Sequence, residues 1–390
     1  FLLFPIFSII ALALGNSGYA SDDKDDSESP LFAHSLFAQA ARASAALPLL
    51  FSLYLATVPA YGAHFGILFG FLFCLSVGLF AVSITTGPQW LHALGALTAV
   101  ATVAIWFQTS YTSAAWPWLL GIVSAFVLFH LAAPFIATSR RGVEMQGFGA
   151  LAVFAAPLLL FTFPLALAVE PLASSPGLPF GVLFALLAAC AAFAIVARLG
   201  AIHYVAAFFA LAAEAVWSSR YLDAAHLYSG LALYGVFGLF YVGTPLVARR
   251  FKGAFEPAGA AGVLTIASLG LLLFVASGPS AHSALWGMAL LIAVLNVGLL
   301  LESTSEGMPL LSIVGTALSW AVLAVWWWRT SDAWAIVPAL VVMAGFALLT
   351  MGGGAWARGR AGTGDAVRGF DASIFMGLIG HVFVVFVATR

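Results

Sequence analysis

Residues 233–253 read "LYGVFGLFYVGTPLVARRFKG". The stretch runs from Leu233 to Ala248 without a charge and then places Arg249, Arg250 and Lys252 within four positions. Both halves matter, because only 29 of the 390 residues are charged, 14 Lys or Arg plus 15 Asp or Glu. With 63% hydrophobic residues, 7% charge and a mean hydropathy of +1.08, against about 25% charge in soluble domains, the chain is built for lipid.

Apolar runs long enough to cross a hydrocarbon core of about 30 Å follow one another along the sequence. Thirteen spans are expected near 45–60, 64–84, 91–108, 115–137, 149–169, 179–197, 201–217, 227–247, 259–277, 284–301, 309–328, 333–351 and 372–388, with a partial one at 1–15. In hydrocarbon each backbone amide must be paired within its segment or around a closed barrel, and continuous apolarity selects helices over alternating strands. The expected fold is an all-α, polytopic integral membrane protein of about 13–14 transmembrane helices. The opening "FLLFPIFSIIALALGNSGYA" has an apolar core and a small-residue end like a signal peptide, but no basic residue precedes it, so a truncated span is the preferred reading.

Positive charges are retained on the cytoplasmic side of short loops. Alternating sides along the spans gathers Lys24, Arg42, Arg140, Arg141, Arg198, Arg249, Arg250, Lys252, Arg358, Arg360 and Arg368 on one face, and only Arg220 and Arg329 on the other, with terminal Arg390 left out. "ARRFKG" is therefore read as a cytoplasmic loop.

The cluster also recurs. "PFIATSRR" (134–141) and "PLVARR" (245–250) each close a span with Pro and an Arg pair, and "AWARGR" (355–360) follows. "AIW" (104–106), "AVW" (215–217) and "AVW" (324–326) keep the same step. "EMQGFGALAVFAAPLLLF" from Glu144 matches "EPAGAAGVLTIASLGLLLF" from Glu256, and "HFGILFGFLFCLSVGLF" from His64 echoes "ALWGMALLIAVLNVGLL" from Ala284. A step of about 110 residues holds four spans, an even number, so the copies are parallel repeats. The expected division is a truncated span with an acidic loop (1–44), a partial repeat of three spans (45–114), two four-helix repeats (115–226 and 227–332) and a partial repeat of two spans (333–390). The acidic "DDKDDSE" (22–28) takes a slot that is basic in the other copies and is read as a solvated loop.

No P-loop, H-E-x-x-H or G-x-S-x-G is present, and Cys74 and Cys190 are isolated, so neither cofactor nor metal is expected. A net charge of −1 gives no reason to expect nucleic acid, which leaves membrane lipid as the partner. Ionisable and amide groups inside spans are the candidates for function, since a charge at the bilayer centre costs about 2.5–3.5 kcal/mol. They are Glu214, His203, His130, Asn296 and His381. Glu214 ranks first as the one carboxylate within a span. Hydrogen bonding to a neighbouring helix is the ordinary alternative for the His and Asn side chains. Gly62, Gly66 and Gly70 form a G-x-x-x-G face suited to helix packing, and Trp326, Trp327, Trp328 and Arg329 suit a headgroup anchor.

In "LYGVFGLFYVGTPLVARR" (233–250) and "ALWGMALLIAVLNVGLLLE" (284–302) the chain resembles a family of large bacterial predicted membrane proteins, the domain of unknown function 2339 type, over roughly residues 115–350. That resemblance implies many spans in a bacterial inner membrane and assigns no functional residue. Two classes of function are expected. The preferred one is a non-enzymatic module, either transporter-like or an envelope scaffold. The other is a membrane enzyme acting on lipid-linked substrates, glycosyltransferase-like, which needs carboxylates grouped on the outer side.

Overall fold

Apolar runs that must satisfy their own backbone amides become helices, and the described residues hold no strand. The computed structural model describes residues 47–86, 88–251, 255–278, 284–330, 336–360 and 365–389. The span at 1–15, the signal-peptide reading of 1–20, the acidic stretch 22–28, Lys24, Arg42, Lys252 and Arg390 lie outside the described residues.

Helical segments occupy all thirteen expected positions: α1 (Leu47–Thr57), α2 (Phe65–Thr86), α3 (Trp90–Thr109), α4 (Trp116–Arg141), the broken α5 (Phe148–Val169), α6 (Gly177–Ala197), α7 (Gly200–Tyr221), α8 (Leu227–Phe251), α9 (Ala260–Ala276), α10 (Leu285–Glu306), α11 (Pro309–Thr330), α12 (Ile336–Arg360) and α13 (Asp365–Ala388). Ten of them, α2 to α8 and α10 to α12, are long and apolar enough to cross a membrane. Helices α1 and α9, of 11 and 17 residues, are apolar but shorter. The chain is thus a multi-pass membrane protein, with ten candidate spans among the described residues. Large apolar side chains point outward along these helices, among them Trp118, Phe148 and Leu348 at 66%, 74% and 73% exposure. A water-soluble surface does not carry them in such number, and a lipid-facing one does.

Several ends differ from expectation. Arg140 with Arg141, Arg249 with Arg250 and Arg358 with Arg360 lie in the last turns of α4, α8 and α12, and not in loops. Cations there complement the unpaired carbonyls and the negative end of the helix dipole. Helix α5 is interrupted by a 3-10 turn at Ala152–Phe154 and by a break at 160–161. Pro157 and Pro164 explain both interruptions, because each withholds an N–H from the carbonyl four residues earlier, at Val153 and Leu160, and its ring crowds that carbonyl. Pro134 and Pro245, by contrast, sit inside the continuous helices α4 and α8.

The chain divides into two compact units between Thr162 and Phe163, whereas the sequence divisions fall after residues 44, 114, 226 and 332. In the first unit α2 packs on α3 and α4, and the first half of α5 packs on both α3 and α4. In the second unit α6 packs on α7 and α8, and α9 on both α7 and α8; α10 then packs on α11 and α12, and α13 on both α11 and α12. An apolar core of the second unit runs through α8 to α12 and includes Leu269, Leu295, Trp326 and Met343.

Two packing expectations fail. Among the described residues, a side chain at Gly66 or Gly70 would meet nothing within 4 Å, so that glycine face is open. Only Gly62 is a close contact, where an added Cβ would lie 2.1 Å from Ser110 Oγ. Of the tryptophan cluster, Trp326 and Trp327 are buried in the core, and Trp328 alone faces outward, at 77% exposure. Three consecutive helical positions span 200° of arc at 100° each, so they cannot share one face.

Candidate functional site

Glu214 lies two turns before the end of α7, seven positions before Tyr221 at that terminus. At a rise of 1.5 Å per residue this is about 10 Å inside the helix. It is 2% exposed, and its carboxylate accepts a hydrogen bond from the Tyr241 hydroxyl of α8 at 2.6 Å. Antiparallel α7 and α8 meet again one turn along, where Ser218 and Tyr234 share a short hydrogen bond and the Ser218 hydroxyl also donates to the Glu214 carbonyl at 2.5 Å. Glu214 makes no ion pair among the described residues. A carboxylate held by a phenol within a span, with no ion-pair partner among the described residues, is a costly placement.

The other expected residues do not join it. His203 is on the same helix but about 16 Å away along the axis. It is fully buried, both ring nitrogens lack a protein partner, and its ring lies against Tyr204, Phe240 and Phe255. Asn296 donates from Nδ2 to the Ile292 carbonyl at 2.8 Å and to Ser319 Oγ at 2.6 Å, joining α10 to α11. His381 is half-buried on α13, 6.2 Å from the Trp320 ring between centres. His130 belongs to the first unit, where its ring is 5.6 Å from that of His92.

The chain matches no family model, no curated protein and no solved structure. The site is therefore judged on its own chemistry.

Three polar groups were missed by reading the sequence. Tyr241 and Tyr234 look like ordinary apolar-span aromatics until α7 is laid beside α8. His92 stands three residues into α3, at the edge of the span, although it lies 111 positions before His203. At the arginine-rich end of α8, Arg249 Nη2 bridges Glu302 at 2.8 Å and Glu306 at 2.5 Å on α10. Those glutamates are four residues apart and so share one helix face. At the other end of α8, in the turn that joins it to α7, the exposed Asp223 accepts the His226 backbone N–H at 2.9 Å and pairs with His226 Nδ1 at 2.7 Å. These bonds, the backbone one first, hold its carboxyl below the ordinary aspartate range.

Proposed function

We infer that the chain is the body of a bacterial inner-membrane transporter, built from four-helix units repeated in parallel about every 110 residues, with Glu214 as its ion-coupling side chain. The observation that carries the transport reading is the Glu214 carboxylate, buried within a span on the Tyr241 hydroxyl and without an ion-pair partner among the described residues. A charge at that depth costs about 2.5–3.5 kcal/mol, so a proton or another cation accompanies the carboxylate. The interrupted helix α5 adds the discontinuous span that transporters use to free backbone groups. This favours transport over a scaffold, which needs neither feature. Lipid-linked glycosyl transfer turns on the acidic stretch 22–28, which lies outside the described residues.

Support for the repeat comes from contacts that recur at one step of 111. Phe69 against Trp106 recurs as Phe180 against Trp217. Phe73 against Phe126 and Phe129 recurs as Phe184 against Phe237 and Phe240. His92 against Phe129 recurs as His203 against Phe240, at 5.9 Å between centres in both. The indole of Trp106 donates to the Gly62 carbonyl, and that of Trp217 to the Ala173 carbonyl, each 44 residues back. On this step His130 corresponds to Tyr241, the donor to Glu214.

The test is reconstitution of the full chain into proteoliposomes, with electrical currents recorded after pH jumps in the presence of cationic, anionic and neutral solutes. Wild type should give a pH-driven current with at least one solute class, and Glu214→Gln should abolish it. Equal currents from both, or none from wild type with any solute, would remove the transport reading.

A further inference from the structure

The first unit contains a pair of imidazoles that transport through Glu214 leaves unused. His92 stands in the first turn of α3 and His130 in the middle of α4, at 2% and 0% exposure. Their ring centres are 5.6 Å apart with planes inclined at 36°. His92 Nε2 and both ring nitrogens of His130 have no protein hydrogen-bond partner. A buried polar atom left unpaired costs about 1–3 kcal/mol, and an apolar residue of similar size would avoid that cost at either position. Three such atoms on two neighbouring rings leave room for a ligand as their common partner.

The surroundings narrow its chemistry. Phe80 lies 5.0 Å from His92 between ring centres, and Phe129 lies 5.9 Å from His92 and 5.1 Å from His130. Among the described residues no three His, Cys, Asp or Glu side chains gather to hold a metal ion. Structural zinc requires about four donors and calcium six or more, with carboxylates or thiolates to balance the charge. A soft monovalent cation accepts two nitrogen donors in a line and brings one charge into the apolar site. With metal to nitrogen at about 2 Å, two imidazoles facing across one ion have ring centres about 6 Å apart, close to the separation seen.

We propose that His92 and His130 form an intramembrane site for one soft monovalent metal cation of the Cu(I) class. Gln89, one turn before His92, accepts the Gln146 N–H at 2.7 Å and donates to the Glu144 carbonyl at 2.9 Å, so the site sits just beneath the loop that follows the arginine pair of α4. In the second unit the residues one step on are His203 and Tyr241, which supply only one imidazole. His130→Tyr therefore gives the first unit the composition of its counterpart. Glu214 is not part of this site, so failure here leaves the transport reading untouched, and the converse also holds.

The full chain, purified in detergent under reducing conditions, is titrated with Cu(I) against a chromophoric chelator. Wild type should retain one Cu(I), with an affinity at least about tenfold above that of His130→Tyr and of His92→Phe. X-ray absorption at the copper edge of loaded wild type should show nitrogen neighbours at about 2 Å and no sulfur. Equal affinity in all three proteins, no copper on wild type, or sulfur neighbours would each overturn the site. The absorption measurement uses wild type alone and decides the matter if a variant fails to fold.

Discussion

At the scale of single residues, function concentrates where a polar side chain has been taken out of water without full compensation. Removing the phenol in Tyr241→Phe leaves the Glu214 carboxylate without its donor, and hydrogen bonds to charged groups are worth about 1.5–3 kcal/mol. We expect a stability loss of that order in a denaturant titration of the detergent-solubilised chain, and a smaller one for Glu214→Gln, which keeps an acceptor. Asp223 behaves differently because it is exposed. Its carboxyl is held below the ordinary range by His226, so the stabilisation is present above the ordinary aspartate pKa and is lost as pH falls through the depressed value. The protection factor of the His226 amide against hydrogen exchange should therefore fall on acidification in wild type more than in Asp223→Asn; identical pH responses would refute the coupling. Glu214 could be singled out from sequence because carboxylates are rare in spans. Its partner could not, since Tyr241 is one of 9 tyrosines in a chain rich in aromatics, and only antiparallel packing of α7 on α8 selects it.

At the scale of elements, sequence located the helices and missed their inward faces, for one physical reason. In a soluble protein the polar face marks the outside, but here lipid and core are equally apolar, so a span such as α6 shows almost no difference between its faces. Trp326 and Trp327 consequently looked like an interfacial belt when they are core, and the Gly66 and Gly70 face looked like a contact when it is open. What joins the helices is specific. Asn296 with Ser319 links α10 to α11, and interhelical hydrogen bonds in membranes average about 0.6 kcal/mol. Asn296→Leu should therefore lower stability by about that amount, and a loss several times larger would mean that Asn296 does more than join two helices. The indole bonds of Trp106 and Trp217 occupy matching places, so Trp106→Phe and Trp217→Phe should cost the same within about 0.5 kcal/mol. A large difference would separate the two elements and weaken the repeat.

At the scale of the whole molecule, the basic residues and the four-helix step lead to one consequence. Under the proposed parallel repeat, a unit that crosses the membrane an even number of times re-enters with unchanged orientation, and each copy is expected to return its arginine-bearing helix end to the same side. The periodic landmarks were legible because charges and tryptophans stand out in an apolar chain. The aromatic contacts that recur at an offset of 111 were not, because they join residues up to 56 positions apart, as in Phe73 with Phe129. The most direct measurement is cysteine accessibility in cells, in a background with Cys74 and Cys190 replaced by Ala. Ser139→Cys, Phe251→Cys and Gly359→Cys report the exposed ends of α4, α8 and α12 without touching an arginine, and Thr112→Cys and Ala224→Cys report the opposite ends. An impermeant thiol reagent should label Cys at 112 and 224 in intact cells and reach 139, 251 and 359 only after the membrane is opened. Labelling of any one of those three from the outside, with the others protected, would contradict parallel insertion of the repeated unit.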